Sequence, residues 1–288
     1  MGGQLILRME DLDRDRVIPA AGATILDDLR WLGIRWEEGP DVGGPVGPYV
    51  QSERVALYAE AVARLASQGR VYFCDCSRAE IARAASAPHA GDEGPRYPGT
   101  CRPHGMRARS FRRPPAVRLA VPEAGEGRVV VDDAVLGALV ENVAETTGDF
   151  VLRRGDGVFA YQLAVVVDDL AMGVTEVVRG ADLATSAPRQ ALLARLLGGT
   201  PPGFAHVPLL LGPDGARLAK RARGMTLRSQ RAAGRDGREL VRAIARAYRH
   251  DLGDALDPLQ ALAERLSFAS LRGLTVTADD DLVRPPLE

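Results

Sequence analysis

The chain has 288 residues, 46% of them apolar and 26% charged, and a formal net charge of −1. That length suits one large domain or two ordinary ones with a sizeable core, and the charge excludes a chain that holds polyanions through its overall balance. The apolar runs all fall short of the roughly 18 residues a membrane span needs, the first residues do not read as a signal peptide, and three cysteines, an odd set, argue against a secreted disulfide framework and for the reducing cytoplasm.

Taken in chain order, residues 4–9 read as a buried strand, with the acidic run Glu10-Asp11-Leu12-Asp13 as the loop at its carboxyl end. Apolar residues at three- and four-residue spacing predict a helix over 22–33. A second helix is expected over 52–69, with Ser52 as N-cap and Gly69 as the stop. Val71-Tyr72-Phe73 is a strand, and the alternation fits half of a doubly wound α/β domain with a Rossmann-like parallel sheet. From Cys74 to about Val135, Pro and Gly rise and helical periodicity fades, with short β segments at 116–121 and 128–131; this reads as an insertion between the halves. The α/β pattern then resumes. Strand segments 150–153 and 158–159 flank the hairpin signal Asp156-Gly157, a helix covers 161–172, a strand 176–178, and a helix 182–197. Beyond Lys220 the chain reads as helical to about Gly273, without a convincing strand. The expected organisation is therefore 1–73 and 136–212 as the two catalytic halves, 74–135 as the insertion, and 213–288 as a loop and helical subdomain.

Charge and cysteine placement carry the chemistry. All but one of the 37 basic residues are arginine, the exception being Lys220 in Gly215-Ala216-Arg217-Leu218-Ala219-Lys220-Arg221. A lysine kept under such a bias is one whose compact ammonium a planar guanidinium does not replace. Two stretches, 94–122 and 217–249, concentrate arginine, which fits a polyanion held at particular surfaces and equally fits solvated faces of an arginine-rich chain. Cys74-Asp75-Cys76, followed across a Gly/Pro-rich stretch by Cys101, suits tetrahedral zinc in a structural site. On ligand chemistry alone the fourth donor is His104 rather than Tyr97.

Together these residues resemble the class I glutamyl-type tRNA synthetases, most closely the short glutamyl-Q tRNA(Asp) synthetase family. The resemblance covers nearly the whole chain and is carried by Leu7-Arg8-Met9-Glu10-Asp11-Leu12-Asp13, by Phe159-Ala160-Tyr161-Gln162 running to Val167-Asp168-Asp169, and by Val177-Val178-Arg179-Gly180-Ala181-Asp182-Leu183 with Pro188-Arg189-Gln190. It implies activation of L-glutamate by ATP with Mg2+, then transfer to queuosine in the anticodon of tRNA(Asp), by a cytoplasmic monomer. It implies that Glu10, Tyr161 and Arg179 hold the glutamate, that Lys220 binds ATP and stabilises the leaving pyrophosphate, and that Tyr97 joins Cys74, Cys76 and Cys101 on zinc.

The second ATP signature is degraded here, with Arg217 and Ala219 in place of its first lysine and its first serine. The family's first strand and the histidine-containing helix that cradles ATP phosphates have no counterpart after Gly2, so impaired activation is expected of the 288-residue chain, which reads as starting inside a longer product. Only 68 residues follow Lys220, too few for the anticodon-binding domain of the discrete synthetases. A glutamyl-tRNA synthetase fragment and a non-catalytic, zinc-stabilised RNA-binding module are the alternatives.

Overall fold

A computed structural model describes residues 2–13, 15, 17–84, 96–123, 125–212, 215, 226–278 and 282. The described residues form two main sheets, a two-stranded third one and a helical carboxyl-terminal region. The larger sheet has the order β4 (Gly137–Asn142), β3 (Arg128–Asp133), β7 (Gly203–Val207), β6 (Glu176–Gly180). β3, β7 and β6 run parallel and β4 is antiparallel to β3. The expected parallel sheet is thus a mixed one, with a hairpin partner at one edge. The β3–β4 connection is too short for a parallel crossover, so the two strands pair as a hairpin. The smaller sheet, β1 (Val71–Cys74), β2 (Ala116–Leu119), β5 (Val151–Arg153), is antiparallel throughout.

The pairings redistribute two segments relative to the sequence reading. Val71-Tyr72-Phe73 is a strand, but its partner is β2 of the Pro/Gly-rich region and not a parallel strand. β3 lies within the stretch read as an insertion and pairs with β7 in the larger sheet. In β3 the alternation of exposed and buried positions turns Val129, Val131 and Asp133 inward, the period of two expected of a half-covered strand.

Residues 4–9 do not form the buried strand expected. They make only isolated parallel bridges, Ile6 to Glu38 and Met9 to Val50, and Leu5 is 49% exposed. Leu7 N–H donates to the Glu38 carbonyl and Met9 N–H to that of Tyr49, each at 2.8 Å. The partner therefore changes between the two contacts, and no continuous ladder develops.

α1 (Ala21–Trp31) and α2 (Val55–Ser67) appear where helical periodicity places them. Ser52 is not the cap of α2. It sits in a 3-10 turn, Gln51–Glu53, ahead of the helix, and its hydroxyl donates to Asp11 at 2.6 Å. α5 (Tyr161–Ala171) and β6 also match the reading. The helix expected over 182–197 is a 3-10 segment, Ala181–Ser186, leading into α6 (Ala187–Leu196), with Pro188 in its first turn. At the hairpin after β5, Gly157 takes a φ of 92°, the left-handed backbone a tight turn needs.

One core joins both sheets. Tyr58 and Leu65 of α2, Leu119 of β2, Leu152 of β5, Leu163 of α5, Leu193 of α6 and Phe204 of β7 belong to a single buried cluster. The carboxyl-terminal region holds α7 (Leu227–Ala232), α8 (Gly237–Ala247), α9 (Pro258–Arg265) and α10 (Phe268–Leu271). It also holds a two-residue strand, β9 (Val276–Thr277), parallel to β8 (Leu210–Leu211), which sequence periodicity did not reveal. Leu240 and Ala243 of α8 pack with Trp31 and Leu32 at the end of α1. Gly237 makes that approach possible, because a Cβ there would lie 2.3 Å from the Trp31 carbonyl oxygen. Among the described residues no helix is long and apolar enough to cross a membrane.

Candidate active site and metal centre

β1 ends at Cys74, and the chain turns there so that Cys74 and Cys76 approach the loop carrying Tyr97 and Cys101. The ligand atoms of Cys74, Cys76 and Cys101 lie within 4.8 Å of one another. Cys76 Sγ is 3.6 Å from Cys101 Sγ, and the Tyr97 hydroxyl is 3.4 Å from Cys74 Sγ and 3.6 Å from Cys76 Sγ. The Cys101 backbone N–H donates to that hydroxyl at 2.9 Å and so aims it at the thiols. Thiolates held about 2.3 Å from a tetrahedral zinc stand roughly 3.8 Å apart, so the four donors fit such an ion as they are placed. His104, the donor favoured by ligand chemistry, lies on the exposed side of a 3-10 turn, Arg102–His104, outside the converging set.

The surroundings explain why an ion suits the cluster. Burial, then the Cys101 and Cys74 thiols, push Cys76 up to about 11 against the Tyr97 hydrogen bond. Burial also works against ionising Cys74, but bonds from Tyr97 and the Cys76 backbone, with Arg118 nearby, outweigh it and lower the thiol. Arg118 lies over the Tyr97 ring at 4.0 Å. Asp75, buried between the cysteines, accepts from Arg109 at 2.8 Å and from the Arg112 N–H at 3.0 Å, and these donors hold its carboxyl far below the usual range. Two buried thiols and a half-buried one need a cation to ionise together, and an ion held by the three thiols and Tyr97 would use all four protein donors. A metal here has no open position for catalysis.

The second site lies where the amino-terminal segment, α5, β6 and β7 meet. Arg8 Nη1 donates to Asp169 at 2.9 Å, and Arg8 Nη2 lies 3.3 Å from Glu10. Glu10 and Tyr161 remain open to solvent, with the Glu10 side chain 42% and Tyr161 38% exposed. Burial among protein atoms raises the Glu10 carboxyl against the pull of Arg8, and Asp169 and Asp168 add to the rise; water screening keeps that shift small in energy. Burial also raises Tyr161, which feels Glu10 and Arg179, and lowers Arg179, which is in turn supported by Tyr161 and Asp169. The three residues that the resemblance assigns to glutamate thus lie within electrostatic reach of one another, and bring together a carboxylate, a guanidinium and a phenol. Such a layout can hold an ammonium and a carboxylate of one small molecule at once.

Asp168 fixes α5 behind the cleft. It is fully buried and accepts from Arg54 Nε at 2.6 Å, Gln51 Nε2 at 2.8 Å and the Tyr58 hydroxyl at 2.9 Å. A buried carboxylate is tolerated when its partners are this complete. At the other end, Gln190 donates to Gln162 and Gln162 to Ser186, tying α6 to the first turn of α5.

Sequence reasoning overlooked the groups behind Arg179. His206 of β7 accepts from Arg179 Nε at 3.0 Å, and His206 Nδ1 lies 2.6 Å from Asp133 of β3. Both are buried. A lone His in an apolar strand gives no signal by itself; only the strand register places it beside Arg179. Lys220, with Arg217 and Ala219, lies outside the described residues.

Comparison with known proteins adds the following. Residues 1–250 match the family described as tRNA synthetases class I (E and Q), catalytic domain. The chain is 51% identical over 264 residues to the Glutamyl-Q tRNA(Asp) synthetase of Symbiobacterium thermophilum, covering 90% of this chain and 80% of that one. It is 53% identical over 237 residues to the protein of the same name from Nitratidesulfovibrio vulgaris, covering 81% and 72%. Against Glutamate--tRNA ligase 1 of Halorhodospira halophila the identity is 39% over 290 residues, covering 98% of this chain and 60% of the ligase. The crystal structure of a glutamate tRNA ligase from Elizabethkingia meningosepticum has the same fold, with a TM-score of 0.75 at 24% identity over 98% of this chain and 61% of that one. The chain thus spans about 60% of the length of these two glutamate–tRNA ligases.

Proposed function

Because this chain belongs to the class I tRNA synthetases of the E and Q type, as a synthetase-like ligase, we propose that it activates L-glutamate with ATP and Mg2+ and transfers the glutamyl group to queuosine in the anticodon of tRNA(Asp). The observation that supports the reading is that Glu10, Tyr161 and Arg179 lie close enough to influence one another's charge. Glu10, in its ionised form, receives the α-ammonium. Arg179 and the Tyr161 hydroxyl receive the side-chain carboxylate, where a guanidinium gives two parallel hydrogen bonds. Arg8 holds Glu10 and pairs with Asp169, so the site presents an acidic pole at Glu10 and a basic one at Arg179.

In the same proposal Lys220 steadies charge building on the leaving pyrophosphate. Zinc on Cys74, Cys76, Tyr97 and Cys101 locks the end of β1 to the loop that follows it, and supplies structural cross-linking only. The chain works as a cytoplasmic monomer. The names and 51–53% identity of the glutamyl-Q relatives favour queuosine over the acceptor end of tRNA(Glu).

The test is transfer of labelled glutamate to three RNAs: tRNA(Asp) with queuosine, tRNA(Asp) without it, and tRNA(Glu). Label on the first alone is the expected result. Label on tRNA(Glu) would favour an ordinary glutamyl-tRNA synthetase. No adenylate and no label, with salt-sensitive tRNA binding retained, would favour a binding module. With an active preparation, Lys220→Arg keeps the charge yet is expected to cut activation sharply, and wild-type rates in that variant would reject the role given to Lys220.

A further inference from the structure

Resting on the reading that Arg179 holds the substrate carboxylate, we propose that Asp133 and His206 are positioning residues: a buried relay that fixes which edge of the Arg179 guanidinium faces the cleft, and so sets its preference for an acceptor-only ligand. The strands dictate the juxtaposition. β6 and β7 pair in parallel with Arg179 opposite His206, and β3 sets Asp133 opposite Phe204, two residues before His206.

Hydrogen-bond chemistry then leaves one arrangement. A guanidinium has donors only, so at 3.0 Å from Arg179 Nε the His206 Nε2 must be the acceptor and carry no proton. The imidazole proton is on Nδ1 and is donated to Asp133 at 2.6 Å. Asp133 is held as a carboxylate by the N–H groups of Val135 at 2.9 Å and Leu136 at 2.8 Å, and His206 N–H approaches both of its oxygens at 3.2 Å. The negative charge of Asp133 strengthens Nε2 as an acceptor through the ring. Arg179 is further placed by the Leu183 carbonyl at 3.4 Å from Nη2 and by Phe204, 5.4 Å beneath Cζ. Its Nε–H and a donor of Nη2 are thereby committed to the protein, and Tyr161 interacts with the same guanidinium. Without the acceptor, the guanidinium must find its orientation on each binding event, which costs rotamer freedom and leaves a buried N–H unpaired.

Asp133→Asn is the informative substitution. The amide oxygen can still accept the backbone N–H groups, but its NH2 would donate to Nδ1, move the ring proton to Nε2, and set two donors against each other at Arg179. His206→Gln supplies an acceptor oxygen with no tautomer to invert. The experiment measures L-glutamate affinity by calorimetry for wild type, Asp133→Asn, His206→Gln and the double variant, and reads the His206 tautomer from imidazole 15N shifts, assigned by loss of the signal in His206→Gln. The expected result is a loss of about tenfold for Asp133→Asn in the wild-type background and less than about twofold in the His206→Gln background. The ring is expected as Nδ1–H in wild type and Nε2–H in Asp133→Asn. An equal loss in both backgrounds, or an Nε2–H ring in wild type, overturns the relay. Wild type that binds no L-glutamate refutes the proposed function instead, and the tautomer still decides the relay.

Discussion

The thiol cluster and the glutamate cleft are built on opposite principles. The cluster draws its donors from 74–101, a short stretch in which a strand end and one loop bring Cys74, Cys76, Tyr97 and Cys101 together. The cleft draws Glu10, Tyr161, Asp169, Arg179, His206 and Asp133 from the amino-terminal segment, a helix and three strands. A local site of this kind is legible from spacing. A dispersed site depends on sheet register and buried anchors, and single residues give little sign of it. If that contrast holds, substitutions in the cluster change metal content and stability but not ligand preference, while substitutions in the cleft do the reverse.

The largest expected effect is at Arg179. Arg179→Ala removes the cation assigned to the ligand carboxylate and is expected to weaken L-glutamate by about 100-fold or more, at unchanged zinc content. An affinity within threefold of wild type would break the assignment. Next, Cys101→Ser is expected to take zinc from about one ion per chain to a small fraction, with a melting temperature lower by roughly 5 °C or more; metal analysis that finds stoichiometric zinc would refute the cluster.

Glu10→Gln is expected to cost about tenfold in L-glutamate affinity. The same residue sets a pH dependence. Only ionised Glu10 pairs with an ammonium, and its carboxyl is raised from the ordinary 4.5. Affinity should therefore be full near pH 7.5 and decline as pH falls toward 5, where free glutamate itself has hardly changed protonation. A flat profile over that range would remove Glu10 from the site. Smaller still, Ser52→Ala loses the bond to Asp11 and is expected to cost about 1 kcal/mol of stability in denaturant titration, with glutamate affinity kept. The smallest is His104→Ala, which should leave zinc and stability unchanged, because that side chain is exposed and away from the thiols; lost zinc would reinstate it as a ligand.

The same contrast accounts for what could be read beforehand. Helical periodicity placed α1, α2 and α5, and the Asp156-Gly157 signal placed the turn after β5, because both depend on neighbours in the chain. Strand partners were harder. Val71-Tyr72-Phe73 was legible as a strand, but pairing with β2 is a long-range choice that apolar content does not encode. The segment 4–9 has the composition of a buried strand and forms only two bridges, since its partner chain breaks between Glu38 and Tyr49. Ser52 looked like a cap by type, and Asp11 claimed its hydroxyl. Among site residues, ligand chemistry alone favoured His104 as the fourth donor, whereas the hydrogen bond from the Cys101 backbone aims the Tyr97 oxygen at the thiols. His206 and Asp133 needed the register of three strands before either could be linked to Arg179.

The most direct test of the account is calorimetric titration of the wild-type chain and of Arg179→Ala with L-glutamate and L-glutamine at pH 7.5. The account predicts that wild type binds L-glutamate, binds L-glutamine at least about tenfold more weakly, and loses that preference in Arg179→Ala. Equal binding of the two amino acids by wild type, or a preference that survives in Arg179→Ala, would contradict it.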